Sequence, residues 1–489
     1  MKQSALVVFV VILIMLVGCG ENLDNGKNYE VAGIRTLTVR AHNKHAGVLQ
    51  QAADAVNESW RVRGYEYTFN LEIEGHDWTL HTHEQEREAR EARHSRLSIE
   101  LMAGQGPDIF FFEEDLNLRG LARSGFLVDI YTLIDNCHYS NREDFFTNVL
   151  NAFEINDGLY MFPVSFGFYH IGINASLPYS DRFAQESTIT LSQMMDIYLD
   201  ISDNYFEFSH LVPGVAQCLS SFDNLAEAGI GGFVDFETRT ANLVVPEFVS
   251  FLNLLQNFFD GNDHVQGSLW GINGMATDDF LRDISNEHFF EMHSMQLAPA
   301  SAFLERSTPY FVNYRPLADD NGRLLINAHG DNVWAALSVT TVGDSALAWE
   351  FIRHLLNAYY EPVGAAMFSG IFSNLAPWAG MSFATPIKRS HFPGATLRTF
   401  ESVFDIVDAG YHEVGLAHLE CEYERNLQIE NALRQIAELN DMPMVMLSPM
   451  IPTRVYAQGT NFENFAVGAI TAEDLAQRIQ NSISIWLIE

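Results

Sequence analysis

Three histidines, His76, His81 and His83, stand close to Asp77, and two histidines two apart on an extended segment can ligate zinc from one face. No third ligand follows at a close spacing, so these are taken as loop histidines and no metal site is expected. The 63 acidic side chains could include a pair flanking a cleft. Two carboxylates about 5–10 Å apart hydrolyse glycosides, but the sequence singles out no such pair. The run EQEREAREAR from Glu84 has its charges at helical spacing, with Glu86 and Arg90 one turn apart, and is taken as a solvated helix face. There is no phosphate-loop pattern and no Gly-x-Ser-x-Gly nucleophile turn. No catalytic residue, metal or cofactor is therefore expected, and the chain is not expected to be an enzyme.

The residue most strongly marked for chemistry is Cys19. Lys2 begins a short positive start, Ala5 to Val17 is an unbroken apolar run, and Leu16-Val17-Gly18-Cys19 ends it. The run is shorter than the ~20 residues a membrane-spanning helix needs and fits the apolar core of a signal peptide. The four residues resemble the bacterial lipobox, in which cleavage before the cysteine leaves its thiol to carry a diacylglycerol. Two or more acyl chains hold a protein stably on a membrane. Residues 1–18 are thus expected to be a lipoprotein signal peptide. Residues 19–30, polar and without periodicity, are expected to be a lipid-anchored tether on the extracytoplasmic face of the cell membrane.

Charge narrows the partners. With 28 basic against 63 acidic residues the formal net charge is −35, which would repel phosphate backbones and argues against nucleic acid. The chain is 47% hydrophobic and 19% charged, the proportions of a globular protein, and no later apolar stretch is long enough to span a bilayer. Beyond Cys19 only Cys137, Cys218 and Cys421 remain, an odd number at wide spacings. They are expected to be small buried hydrophobes, and their pairing is left open.

The elements that must position any site alternate. TLTVR (Thr36 to Arg40) has the period of a strand, and Val48, Ala52 and Val56 have that of a helix. YEYTFNLEI (Tyr65 to Ile73) predicts a second strand and Glu84 to Met102 a second helix, ended by Gly104. PDIFFF (Pro107 to Phe112) predicts a buried third strand. Strand–helix alternation implies a parallel sheet with helices on its faces, and ligands of such sheets gather beyond the carboxyl ends of the strands. The segments after the first strand (Ala41, His42, Asn43) and the third (Glu113, Glu114, Asp115) are the first candidates.

The stretch LMAGQGPDIFFFEEDLNLRGLARSGFLVDIYTLID, Leu101 to Asp135, resembles family 1 extracellular solute-binding proteins. It has a helix ending Ala103-Gly104-x-Gly106, then Pro107-Asp108, a loop, and Leu121, Ala122, Gly125, Leu127 and Asp129. GLYMFPVSFGFYHIGINASL resembles the family's crossover strand. GGFVDFETRTANLVVPEFVSFLNLLQ resembles a second-lobe hairpin and helix, and RPLADDNGRLLI the return path. SALAWEFIRHLLN, ATPIKRSHF and the terminal GAITAEDLAQRIQNSISIWLIE are similar to later family segments in the same order.

The resemblance implies an α/β, periplasmic-binding-protein-like fold of two discontinuous lobes with a hinged cleft. Lobe 1 would be residues 31–162 and 327–383, and lobe 2 residues 163–326 and 384–489. It further implies the receptor of an ABC importer, a monomer that captures a small solute of carbohydrate type and delivers it to membrane permease subunits. Alternatives from other classes are a surface glycan hydrolase and a ligand sensor or adhesin without transport. Sugars offer CH faces to aromatic rings and hydroxyls to polar groups. Carried over from the family, the expected ligand-binding residues are Asn43, Phe112, Glu114, Asp115, Phe166, Phe168, Trp270, Asp331 and Trp334. Each aromatic among them has core packing as its competing reading. Gly167 falls where some sugar binders carry a carboxylate, so the hydroxyl pattern is not fixed by the likeness.

Overall fold

Alternation and helical periodicity produce the expected elements. In the computed structural model, β1 (Arg35–His42), α1 (Ala46–Arg63), β2 (Tyr67–Glu74), α2 (His83–Met102) and β3 (Ile109–Phe111) follow one another. Next come α3 (Leu118–Arg123), α4 (Ile130–Asp135), α5 (Thr147–Ala152), β4 (Phe162–Pro163), β5 (Ser165–Phe168), β6 (His170–Asn174) and β7 (Ile189–Thr190). The hairpin β8 (Val234–Asp235) and β9 (Thr240–Ala241) precedes α6 (Pro246–Asp260). Beyond it are β10 (Phe290–Glu291), β11 (Val312–Ala318), β12 (Leu324–Asn327), β13 (His329–Gly330), β14 (Val333–Trp334) and β15 (Ala336–Val339). The chain ends with α7 (Ser345–Tyr360), β16 (Thr385–Pro386), β17 (Met444–Met446) and α8 (Ala472–Ile488).

The structure describes residues 35–42, 46–64, 67–74, 83–112, 116–168, 170–174, 188–190, 192–193, 230, 233–235, 238–260, 290–291, 312–319, 321–330, 333–334, 336–360, 385–391, 430, 434, 437–446, 455, 464–465 and 468–488. Cys19, the histidine group at 76–81, Cys218 and Cys421 lie outside them. Cys137 is half-buried and carries a thiol rather than a disulfide. No helix among the described residues is long and apolar enough to cross a membrane.

Two compact units divide the chain. The first comprises the described residues of Met1–Phe110 and Val339–Met367. In it β1 pairs with β2 in parallel over its whole length, from Arg35↔Tyr67 to His42↔Glu74, and with β3 in parallel at Val39↔Ile109 and Arg40↔Phe110. Leu37, Val39 and Ala41 are buried while Thr36 is exposed, the period of two that puts one face inward. The helix α1 buries Leu49, Ala52, Ala53, Val56 and Trp60 along one stripe and packs against α7, which buries Ala348, Phe351, Ile352 and Leu355. Phe69 stacks on Phe351 at 4.6 Å, and Arg63 pairs with Glu350.

The second unit comprises the described residues of Phe111–Ser338 and Phe368–Glu489. Its principal sheet has the order β10-β6-β11-β12-β5-β16, with β17 on β12 and β7 on β11. Here β11 runs antiparallel to β6, and β12 runs antiparallel to β11 and parallel to β17. The helix α8 buries Leu475, Ala476, Ile479 and Ile483 and packs against α6. Gln480 fixes it to the hairpin: its Oε1 accepts Leu243 N–H at 2.8 Å and Val244 N–H at 3.1 Å. Asn148 on α5 donates to the carbonyls of Asn440 (2.7 Å) and Met442 (2.6 Å), anchoring the approach to β17.

Candidate functional site

Two parallel strands deliver the chain to one sheet edge. Because β1 and β3 are neighbours in parallel register, their carboxyl ends, at His42 and Phe111, lie on the same side. The residues that follow in sequence are Asn43 on one and, past Phe112, Glu113, Glu114 and Asp115 on the other. Those four lie outside the described residues. Phe112 is described: its ring is buried and its N–H donates to Ala336 O at 2.9 Å.

What holds this edge is well defined. Arg40, in register with Glu72, donates to it at 3.0 and 2.9 Å and to Glu100 of α2 at 2.7 Å. Burial pulls the guanidinium pKa down, but the hydrogen bonds to Glu100 and Glu72 outweigh it and the net shift is upward. Asp108, of the Gly-Pro-Asp segment, accepts Thr38 N–H at 2.6 Å, and its own N–H donates to Thr38 O at 2.8 Å. Thr340 donates from its N–H to Asp108 O and from its hydroxyl to Pro107 O, both at 2.8 Å. Burial raises the Asp108 carboxyl above the usual aspartate range, against the opposing hydrogen bonds from backbone amides. Gly343 is where the carboxylate fits: a Cβ there would sit 1.3 Å from Asp108 Oδ1. Gly104, with φ +69°, ends α2 just before this segment, in a conformation that side-chain-bearing residues rarely adopt. The Gly-Pro-Asp signature therefore fixes the start of β3 beside β1.

The remaining expected ligand residues fall in different places. Phe166 and Phe168 lie on β5, a strand whose four residues are all buried. Phe166 meets Phe168 edge-on at 5.7 Å and Phe146 at 5.6 Å, and neither ring presents a face to solvent in this structure. Gly167 pairs with Asn327 of β12. Trp334 lies on β14 opposite His329 of β13. Asp331 and Trp270 lie outside the described residues. The described residues contain no group of three or more His, Cys, Asp or Glu that could hold a metal ion.

A cavity of about 140 Å³ in the second unit was not foreseen from the sequence. Its walls come from four segments. The helix α3 contributes Arg119 and Arg123, one turn apart, and Asn117, whose side chain caps it by accepting Gly120 N–H at 2.9 Å. The turn at Ile155 and Asn156 and the hairpin residue Arg239 form two more sides, and Trp486 and Leu487 of α8 close it. Arg119 is largely buried, and loss of solvation lowers its pKa to about 10. The only sequence signal was the pair of arginines four apart in LNLRGLARSG, and nothing local announced that Arg239 would join them.

No protein-family model matches the chain, and no curated protein matches it in sequence. Solved structures do resemble it. One described as an oligosaccharide periplasmic-binding protein from Synechococcus sp. MITs9220 aligns at TM-score 0.51 and 12% identity, covering 92% of this chain and 99% of that one. The same protein in complex with zinc aligns at TM-score 0.50 with the same identity and coverage. A chitin oligosaccharide binding protein aligns at TM-score 0.50 and 13% identity, covering 94% of this chain and 100% of that one. Together with the mixed parallel and antiparallel sheets, these likenesses establish the fold alone: the chain has the mixed α/β fold of those solved structures.

Proposed function

We propose that the protein is the extracytoplasmic solute-binding receptor of an ABC importer, that it captures a sugar or oligosaccharide, and that it performs no chemistry on it. The observation that carries this reading is the fold, shared across nearly the whole chain with proteins described as binding oligosaccharides. The common edge at which β1 and β3 end is where α/β sheets collect ligands, and it adds support. In this reading Asn43, Glu114 and Asp115 hydrogen-bond sugar hydroxyls, and Trp270, Trp334 and Asp331 complete the site. Phe112, Phe166 and Phe168 form the apolar bed behind it. Residues 31–162 with 327–383 are one lobe, and residues 163–326 with 384–489 the other. Closure of the lobes on the ligand is the state that the permease subunits recognise, so binding acts by shifting that population. Cys19 carries the lipid that keeps the receptor, a monomer, at the outer face of the membrane.

The test is a thermal-shift screen of the purified protein against mono- and oligosaccharides, followed by product analysis. A ligand at a hundredfold excess over its Kd should stabilise the fold by about 2.7 kcal/mol and be recovered unaltered. A panel in which no saccharide stabilises the protein, or in which the stabilising one is cleaved, rejects the proposal.

A further inference from the structure

We propose that the cavity lined by Arg119, Arg123, Arg239 and Trp486 is a binding site for an oxyanion: a phosphate or carboxylate group, free or carried on a small solute. This does not depend on the receptor reading, whose strand-edge site would take neutral hydroxyls. The protein is poor in cations, with 28 basic against 63 acidic residues, and several of its described arginines are matched to carboxylates. Arg40 pairs with Glu72 and Glu100, Arg61 with Glu58, Arg63 with Glu350, Arg142 with Asp135 and Arg323 with Asp319. Among the described residues, Arg123, Arg239 and Arg478 form no ion pair, and the first two line this one cavity.

A net charge of −35 offers carboxylates in abundance, yet none of the cavity's lining residues is acidic. Three arginines line this one cavity from two elements, and their like charges favour a bound anion. Their planar forks match two oxygens of a carboxylate or phosphate, which a lysine ammonium would not. Arg119 adds a third cationic side chain, largely buried, whose pKa the loss of solvation lowers to about 10. The volume, about 140 Å³, is well above the ~10–15 Å³ that one water needs and leaves room for a phosphate or carboxylate group. Trp486, Ile155 and Leu487 give the remaining wall an apolar surface against which the carbon frame of a solute can lie.

Isothermal titration calorimetry on the full-length protein, with inorganic phosphate, D-glucuronate and neutral D-glucose as probes at low and at physiological salt, tests the site. Phosphate or glucuronate is expected to bind, more weakly at the higher salt, whereas glucose should not respond to the substitutions below. Arg123→Gln and Arg239→Gln, both at exposed positions, should each weaken anion binding at least about tenfold, in keeping with loss of a charge-assisted hydrogen bond. The double variant should abolish it. Arg61→Gln, another exposed arginine remote in sequence, is the control and should leave it unchanged. Melting curves establish that each variant is folded, and Arg239→Lys, which keeps the charge but loses the fork, serves if the double variant is not. Binding of phosphate names a free oxyanion as sufficient, and binding of glucuronate alone names an acidic sugar. No heat from either anion, or equal affinity in wild type and folded variants, overturns the assignment.

Discussion

Replacing Gly343 by alanine should unsettle the first unit through a single contact. The new Cβ would lie 1.3 Å from Asp108 Oδ1 and 2.4 Å from its Cγ, so the carboxylate must move. It accepts Thr38 N–H at 2.6 Å and a hydrogen bond from the Asp344 backbone. A hydrogen bond to a charged acceptor contributes about 1.5–3 kcal/mol, so losing both would cost about 3–6. Asp108 is only part-buried, and water would recover some of that, leaving about 2–4 kcal/mol. Urea unfolding should show the loss as a lower midpoint at unchanged slope. In an Asp108→Ala background the obstacle is gone, and the same glycine change should cost less than about 1 kcal/mol. A single variant within about 0.5 kcal/mol of wild type, or strictly additive losses in the double variant, would refute the reasoning. The same carboxylate gives a pH signature. Its folded pKa is raised, chiefly by burial. Its contribution to stability is therefore greatest below the unfolded value of about 3.9 and falls as pH rises through the folded value. Asp108→Asn should flatten that fall.

Arg40→Ala removes the tie among β1, Glu72 and Glu100 and should cost about 1–3 kcal/mol by the same urea assay. Asn148→Ala leaves the carbonyls of Asn440 and Met442 without their shared donor; about 1–3 kcal/mol is expected, and no change would mean that water replaces the amide. On the receptor reading, Trp270→Ala and Asp115→Ala should each weaken saccharide binding by about tenfold or more at unchanged melting temperature, Asp115 the more strongly. Loss of stability with intact affinity would mark Trp270 as a packing residue instead. Cys19→Ala should release the protein from the membrane fraction, and retention there would exclude the lipid anchor.

Much of the first unit was legible because its signals are local. The alternation in TLTVR and YEYTFNLEI became β1 and β2, and the helical runs became α1 and α2 to within about three residues. SALAWEFIRHLLN became α7 for the same reason: its apolar residues recur at helical spacing. DDNG in RPLADDNGRLLI is turn chemistry, and Asp319 duly accepts Asn321 and Arg323 N–H between β11 and β12. The pairing of β12 with β17, more than a hundred residues on, left no local trace, since any apolar strand would serve as its partner. The rings of Phe166 and Phe168 show the limit at the site. A ring's letter does not tell its surroundings, and only the structure shows Phe166 buried against Phe146 and Phe168. The arginine cavity was hidden for the complementary reason: its walls are assembled from residues scattered between 117 and 487.

The helix α7 reaches the first unit only after the whole of 111–338 has intervened. During synthesis the part of α1 that meets α7, as distinct from the part against β2, must wait until residue 360 or so has emerged. Contacts this distant in sequence slow folding and lengthen the time in which apolar surface invites misassembly. The strands β1, β2 and β3 are complete by residue 111, yet a nascent chain halted at 338 still lacks α7, one of the two elements that α1 packs against. Such a fragment should be recovered aggregated or bound to a chaperone, and supplying residues 339–367 in trans should restore its solubility.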